Sequence, residues 1–219
     1  FDNVSLDLIY GLPSQTRSDW ADTLAKAIAL RPEHISGYGL KLEEGTPMYE
    51  LKDSPLIPSD DEQADMYLCM VEELRHYGYE QYEISNFAKP GFYSRHNCKY
   101  WLGAEYLGLG PAAHSLMAGQ RFFFPRDLGS FLSAEDPLLL LQDDGPGGGP
   151  AELALLGLRL CQGIDRKETA AAYPDYDWNG LWQKSRPMIG AGYMKEENGR
   201  LFFTPEGFLL SNSILARIL

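Results

Sequence analysis

The spacing of apolar positions changes period several times along the chain. Val4, Leu6, Leu8 and Ile9 form a short apolar run closed by Gly11 and Pro13, which predicts a buried strand. From Thr16 the period turns helical, with Trp20, Leu24, Ala27 and Ile28 on one face. Thr16 and Asp19 supply a hydroxyl-and-acid start. Pro32 ends the helix, because it disfavours the helical region for Arg31. A second strand follows over residues 35–42. Strand, helix and strand at these lengths predict a parallel βαβ unit with a right-handed crossover.

Residues 50–58 read as a polar, proline-containing linker. Ser59 and Glu62 then cap a helix that places Met66, Met70, Val71 and Leu74 on one face and stops at Gly78. Residues 79–87 alternate Tyr82, Ile84 and Asn86 against Gln81, Glu83 and Ser85, which predicts a strand with one face inward, extending the same sheet. Residues 94–101 have neither period and read as a structured loop. Ala118-Gly119-Gln120 reads as a turn and residues 121–124 as the strand that follows it, a hairpin; a short helix begins at Arg126. The run Asp143-Asp144-Gly145-Pro146-Gly147 breaks the chain. Beyond it come an apolar helix over 152–160, one capped by Asp165, and one over 177–189 interrupted near Pro187. Asn198-Gly199 marks a hairpin. Thr204-Pro205-Glu206 opens a last helix.

The pattern therefore predicts an α/β fold. Residues 1–133 form the sheet-bearing part with an appended strand and hairpin. Residues 134–150 are a linker, and 151–219 a small, mostly helical, winged-helix-like domain.

Composition narrows the function. The chain has 219 residues and a formal charge of −12, which argues against nucleic acid as a partner, since phosphate binding leans on positive charge. No run approaches the ~18 apolar residues of a membrane span. Three dispersed cysteines, Cys69, Cys98 and Cys161, fit a reducing cytoplasm better than a disulfide scaffold.

Candidate chemistry sits in three places. Asp7 interrupts the first apolar run, where a carboxylate is costly without a partner. It is either a ligand-facing group at the mouth of an α/β fold or a buried acid that ties down a loop. Glu43 and Glu44 read as solvated loop acids. His96, Asn97, Tyr100 and Trp101 gather an imidazole, an amide and two aromatic planes within a few residues. That set suits a flat apolar macrocycle whose iron a neutral imidazole can ligate, with Arg95 or Lys99 available to propionates. A loop capped by its own His and Asn is the alternative. His114 lies in a glycine-rich stretch, and His34 and His76 read as surface residues.

The stretches LDLIYGLPSQT and HISGYGLKLEEGTPMY resemble the last part of the radical SAM barrel of the HemN and HemW family, and the resemblance runs to the end of the chain. This family comprises oxygen-independent coproporphyrinogen III oxidases and haem-chaperone relatives. The resemblance implies a partial (β/α) barrel, with S-adenosylmethionine and a 4Fe-4S cluster in the full-length family. It places Asp7, Lys41 and His114 on the S-adenosylmethionine side. His-Asn-x-x-Tyr-Trp resembles the signature of the HemW branch, which makes His96, Asn97, Tyr100 and Trp101 haem-binding candidates and His96 the candidate iron ligand. The implied partners are haem or porphyrin and a haem-accepting client protein. The cysteines are too far apart for the family's Cys-x3-Cys-x2-Cys cluster motif, so the chain reads as the carboxy-terminal portion of a longer protein. With the earlier barrel strands missing, an exposed sheet edge predicts either a homo-oligomer or marginal stability. The alternative function is the oxidase itself, decarboxylating propionates through a radical derived from S-adenosylmethionine.

Overall fold

A computed structural model describes residues 1–219. Strand β1 (Ser5–Tyr10), helix α1 (Arg17–Ala29) and strand β2 (His34–Gly39) form the expected parallel unit, in register from Ser5 opposite His34 to Tyr10 opposite Gly39. The α1 start is a full capping box: Thr16 Oγ1 accepts the Asp19 N–H at 3.2 Å, and the Asp19 carboxylate accepts the Thr16 N–H at 2.9 Å. The predicted face of α1 is the buried one, with Trp20 and Leu24 fully enclosed. The Trp20 indole N–H donates to the Met66 carbonyl at 2.9 Å, stitching α1 to helix α2 (Asp60–His76). Helix α2 lies so close to β2 that a Cβ at Gly37 would strike the Met70 sulfur.

Residues 79–87 depart from the expected single strand. Strands β3 (Glu80–Gln81) and β4 (Asn86–Ala88) pair with each other, and β4 also runs antiparallel to β2, giving the order β1-β2-β4-β3. Between them the chain turns, with Glu83 Oε1 accepting the Ser85 N–H at 2.9 Å. The turn draws Glu83 inward to 1% exposure, although the alternation put it opposite the inward face. Two further readings are corrected. One face of β1 packs on the core through Leu8 and Tyr10 and the other is open, so Asp7 and Ile9 are exposed rather than buried. His34 is buried at 6% exposure, not on the surface, because β2 is covered where it crosses β4.

Residues expected as an irregular loop form helix α3 (Arg95–Trp101), capped by Ser94, whose Oγ accepts the Asn97 N–H at 3.2 Å. Strands β5 (His114–Met117) and β6 (Gln120–Phe123) make the expected hairpin, turned at Ala118 and Gly119 with φ of 50° and 73°. Helix α4 spans Leu128–Ser133. Inside the expected linker, strand β7 (Gln142–Pro146) pairs with β6 across a register shift. Its ladder uses backbone groups only, which is why a sequence of Asp, Gly and Pro hides it.

The last part comprises α5 (Pro150–Gly157), β8 (Ile164–Asp165), α6 (Arg166–Ala172), α7 (Trp178–Gly190), β9 (Met194–Glu197), β10 (Arg200–Phe203), α8 (Pro205–Leu209) and α9 (Ser211–Ile218). The sheet order is β8-β10-β9. Asn198 and Gly199 turn the β9–β10 hairpin with φ of 52° and 79°, as its dipeptide predicts. Helix α7 runs through Pro187 without the expected interruption. A single cluster of 23 buried residues reaches from Trp20 on α1 to Ile218 on α9. The sheet-bearing and helical parts therefore share one core.

Candidate functional site

Helix α3 carries the candidate tetrapyrrole residues. At ~100° per residue, His96, Asn97, Tyr100 and Trp101 fall within an arc of about 140°, so the irregular-looking motif is one side of a short helix. His96 Nε2 and the Tyr100 hydroxyl lie 3.2 Å apart. Their rings meet edge to face at 5.0 Å, and Tyr100 in turn meets Tyr106 at 4.6 Å. His96 and Tyr100 are exposed, while Asn97 and Trp101 are half-buried. Trp101 opens onto a cavity of about 520 Å³ walled by Leu153 and Leu156 of α5, Ile164 and Tyr173. The cavity's one arginine, Arg200, is held by Asp165 at 3.5 Å and Glu168 at 3.8 Å.

A polar chain ties this helix to the sheet. The Tyr82 hydroxyl accepts the Ser94 N–H at 3.4 Å and lies 2.8 Å from His34 Nε2. His34 Nδ1 lies 2.8 Å from Ser5 Oγ on β1. One imidazole nitrogen donates and the other accepts, so two hydroxyls satisfy a neutral ring completely. Burial lowers the His34 pKa, and the Asp7 charge partly opposes that. Asp7 therefore acts on this chain through space. Tyr82 stacks on Tyr93 at 4.6 Å, and the Tyr93 hydroxyl donates to Glu80 at 2.6 Å. Burial pushes the Tyr93 phenol up to about 12, with Glu80 adding to it, and raises Tyr82 as well.

Beneath α3 the two parts of the chain meet. The Ile84 N–H donates to the Arg159 carbonyl at 3.2 Å, and the Cys161 N–H to the Tyr82 carbonyl at 3.0 Å. Glu83 lies in this junction. Burial raises its pKa against the hydrogen bonds of Ser85 and Asn86 and the charge of Arg159. Arg159 donates to Ser211 Oγ at 3.1 Å and Asn212 Oδ1 at 2.5 Å, so it also anchors α9. Cys98 and Cys161 line a small cavity of about 170 Å³ beside Tyr82 and Tyr93. Burial, then Glu83, pushes both thiols up, Cys161 to about 12, which favours the protonated thiol at both positions.

The remaining candidates do not converge. Asp7 is on the exposed face of β1. Lys41, past the end of β2, pairs with Glu43 at 2.7 Å in solvent. His114 begins β5 in another sheet, stacked on Phe123 at 5.1 Å with Nδ1 3.5 Å from Asp144. No three His, Cys, Asp or Glu side chains gather as metal ligands, so the residues of this chain do not fit a 4Fe-4S cluster. The sequence reading missed His34, Tyr82 and Glu83. For His34 a signal exists: it stands at the head of an apolar strand, where an imidazole meets partners on the neighbouring strands.

The HemN C-terminal domain family model matches residues 150–210. A protein named heme chaperone HemW from Synechocystis sp. is 34% identical, over 99% of this chain and 58% of its own length. Another of that name from Bacillus subtilis is 30% identical, over 100% of this chain and 59% of its own. Residues 150–210 are a HemN C-terminal domain, and the whole chain is similar to the HemW/HemN radical SAM proteins. It spans under three-fifths of the length of these HemW relatives. The fold is that of the family: the radical SAM enzyme HemN of Escherichia coli, a coproporphyrinogen III oxidase, superposes with a TM-score of 0.74 at 18% identity, covering 100% of this chain and 55% of its own. No helix is long and apolar enough to cross a membrane.

Proposed function

We propose that the chain is the haem-handling part of a HemW-like protein that binds haem and passes it to a client. One observation carries this reading: His96, Asn97, Tyr100 and Trp101 share one side of α3, with the imidazole exposed and Trp101 on the wall of a cavity whose lining is part apolar, part charged. Haem is the cargo here. His96 Nε2 meets only the Tyr100 hydroxyl, so ligating iron displaces one exposed contact, a small cost for a bond that must later be released. Tyr100, Trp101 and Tyr106 offer aromatic surface to the macrocycle. Lys99 and Arg95 lie on the same short helix for its propionates. S-adenosylmethionine and the cluster belong, on this reading, to the longer protein, with Asp7, Lys41 and His114 on the S-adenosylmethionine side.

The test is a haem titration of the chain and of His96→Ala, followed by the Soret band. The wild type should show a saturable shift that His96→Ala loses or weakens by at least about tenfold, the low end of what the loss of even an outer-shell partner of a metal ligand costs. Identical titrations would remove His96 from the role.

A further inference from the structure

Helix α4 meets the rest of the fold through Phe131, which packs edge to face on the buried Phe124 at 5.4 Å. Leu128 and Leu132, four residues apart on the same helix side, are 57% and 73% exposed. A 3-10 turn, Pro137–Leu140, lies against α4. It presents Leu138 and Leu139 at 64% and 84% exposure. One exposed leucine is ordinary, but four on two adjoining turns mark a contact surface.

The charge around these leucines has one sign. Asp127, Glu135, Asp136, Asp143 and Asp144 are all exposed, and no lysine or arginine occurs from residue 127 to residue 158. Of the five acids only Asp144 has a basic side chain within ion-pair distance, His114 at 3.5 Å. Asp127 accepts the Gly129 N–H at 2.9 Å and Asp136 the Leu138 N–H at 3.0 Å. Those bonds fix a carboxylate at the head of each leucine-bearing turn.

The sign of this rim selects the occupant. A second copy of the chain, itself of charge −12, would set the same acids against each other, and like charges across an interface are costly. An anionic membrane leaflet is repelled for the same reason. A helix with one apolar stripe and flanking lysines or arginines meets both features, because its stripe packs along Leu128 and Leu132 while its cations pair with the rim. We propose that α4 and the adjoining turn dock a basic amphipathic helix of a partner protein. The surface shares no residue with the α3 site and does not depend on the haem reading.

The probe is a synthetic, fluorescently labelled leucine–lysine peptide with its leucines at helical spacing. A scrambled peptide of the same composition lacks the apolar stripe. Fluorescence anisotropy against the chain should show saturable binding of the first peptide, at least about tenfold tighter than the second. Leu132→Ser and Leu139→Ser together, both exposed changes, should weaken it about tenfold or more, since burying even one leucine is worth that much. Glu135→Lys, which leaves the leucines in place, should weaken it as well, and added salt should do the same. Equal affinity for the two peptides would mean attraction by bulk charge alone and overturns the proposal, as does binding that the double serine variant leaves unchanged. Three other occupants are open to direct measurement, and each overturns it too: self-association in sedimentation velocity that the double variant abolishes, cosedimentation with phosphatidylserine vesicles that it abolishes, or failure of a longer form of the protein to take the peptide, which would show the leucines covered from within.

Discussion

Tyr82→Phe isolates the polar chain that joins the sheet to α3. The substitution removes one oxygen and keeps the ring stacked on Tyr93. His34 Nε2, in a residue 6% exposed, loses its partner at 2.8 Å. A buried polar group left unsatisfied costs about 1–3 kcal/mol. The Ser94 N–H loses a longer contact of 3.4 Å, for which a few tenths of a kcal/mol is the scale. The sum is about 2 kcal/mol, or a fall of about 4–8 °C in Tm for a chain of this size. Urea unfolding followed by tryptophan fluorescence at pH 8 reads it directly. Hydrogen exchange supplies the local readout, because the amides of Ser94 and the first turn of α3 should exchange faster. The His34 pKa is depressed on folding, so its stabilising contribution is present above the unfolded value of about 6.5 and fades as pH falls through the folded value. Wild-type stability should therefore decline below about pH 6.5. A variant within about 0.5 kcal/mol of wild type, at the scale of ordinary surface changes, would refute the coupling. So would destabilisation with α3 exchange unaltered.

Two further predictions use other parts of the fold. Gly207→Ala should cost about 2 kcal/mol or more, because its Cβ would run into the Tyr193 carbonyl. Gly190→Ala, with open space at the end of α7, should instead gain up to about 1 kcal/mol; equal melting shifts for the two would contradict the close approach of α8 to residue 193. The Glu83 pKa is raised on folding, so its stabilising contribution is complete below the unfolded value of about 4.3 and is lost as pH rises through the folded one. Glu83→Gln should therefore improve relative to wild type as pH rises above about 4.3, and a pH-independent difference in urea midpoints would count against a strained carboxylate there.

What the sequence made legible was local. The capping boxes at Thr16 and Ser59, the apolar stripe of α1 and the Asn198-Gly199 turn each depend on residues a few positions apart, and each appears where its spacing puts it. The misreadings involve distant partners. His34 is buried because β4 and Tyr82 reach it from 48 or more positions away. Strand β7 exists because β6 offers it a ladder, and no side-chain pattern encodes that. Helix α3 was hidden because its seven residues are too few to establish a period, although Ser94 is the cap its start requires. The motif residues were legible as types, but their shared face was not.

The position of that face follows from the junction beneath it rather than from α3 itself. A helix of seven residues is too short to hold together alone. It is fixed at Ser94 by Tyr82, and the same turn that carries Tyr82 carries Glu83 and pairs with residues 159–161 of the helical part. Arg159 extends the connection to α9 through Ser211 and Asn212. A shift of the helical part against the sheet would thus move the base of α3 and the Leu153–Leu156 wall of the adjoining cavity together. His96 and Tyr100 sit in solvent on this short helix, while the polar groups that set its position are buried and paired through His34 and Tyr82; on the proposed haem reading, that division suits a cargo site that must both hold and release.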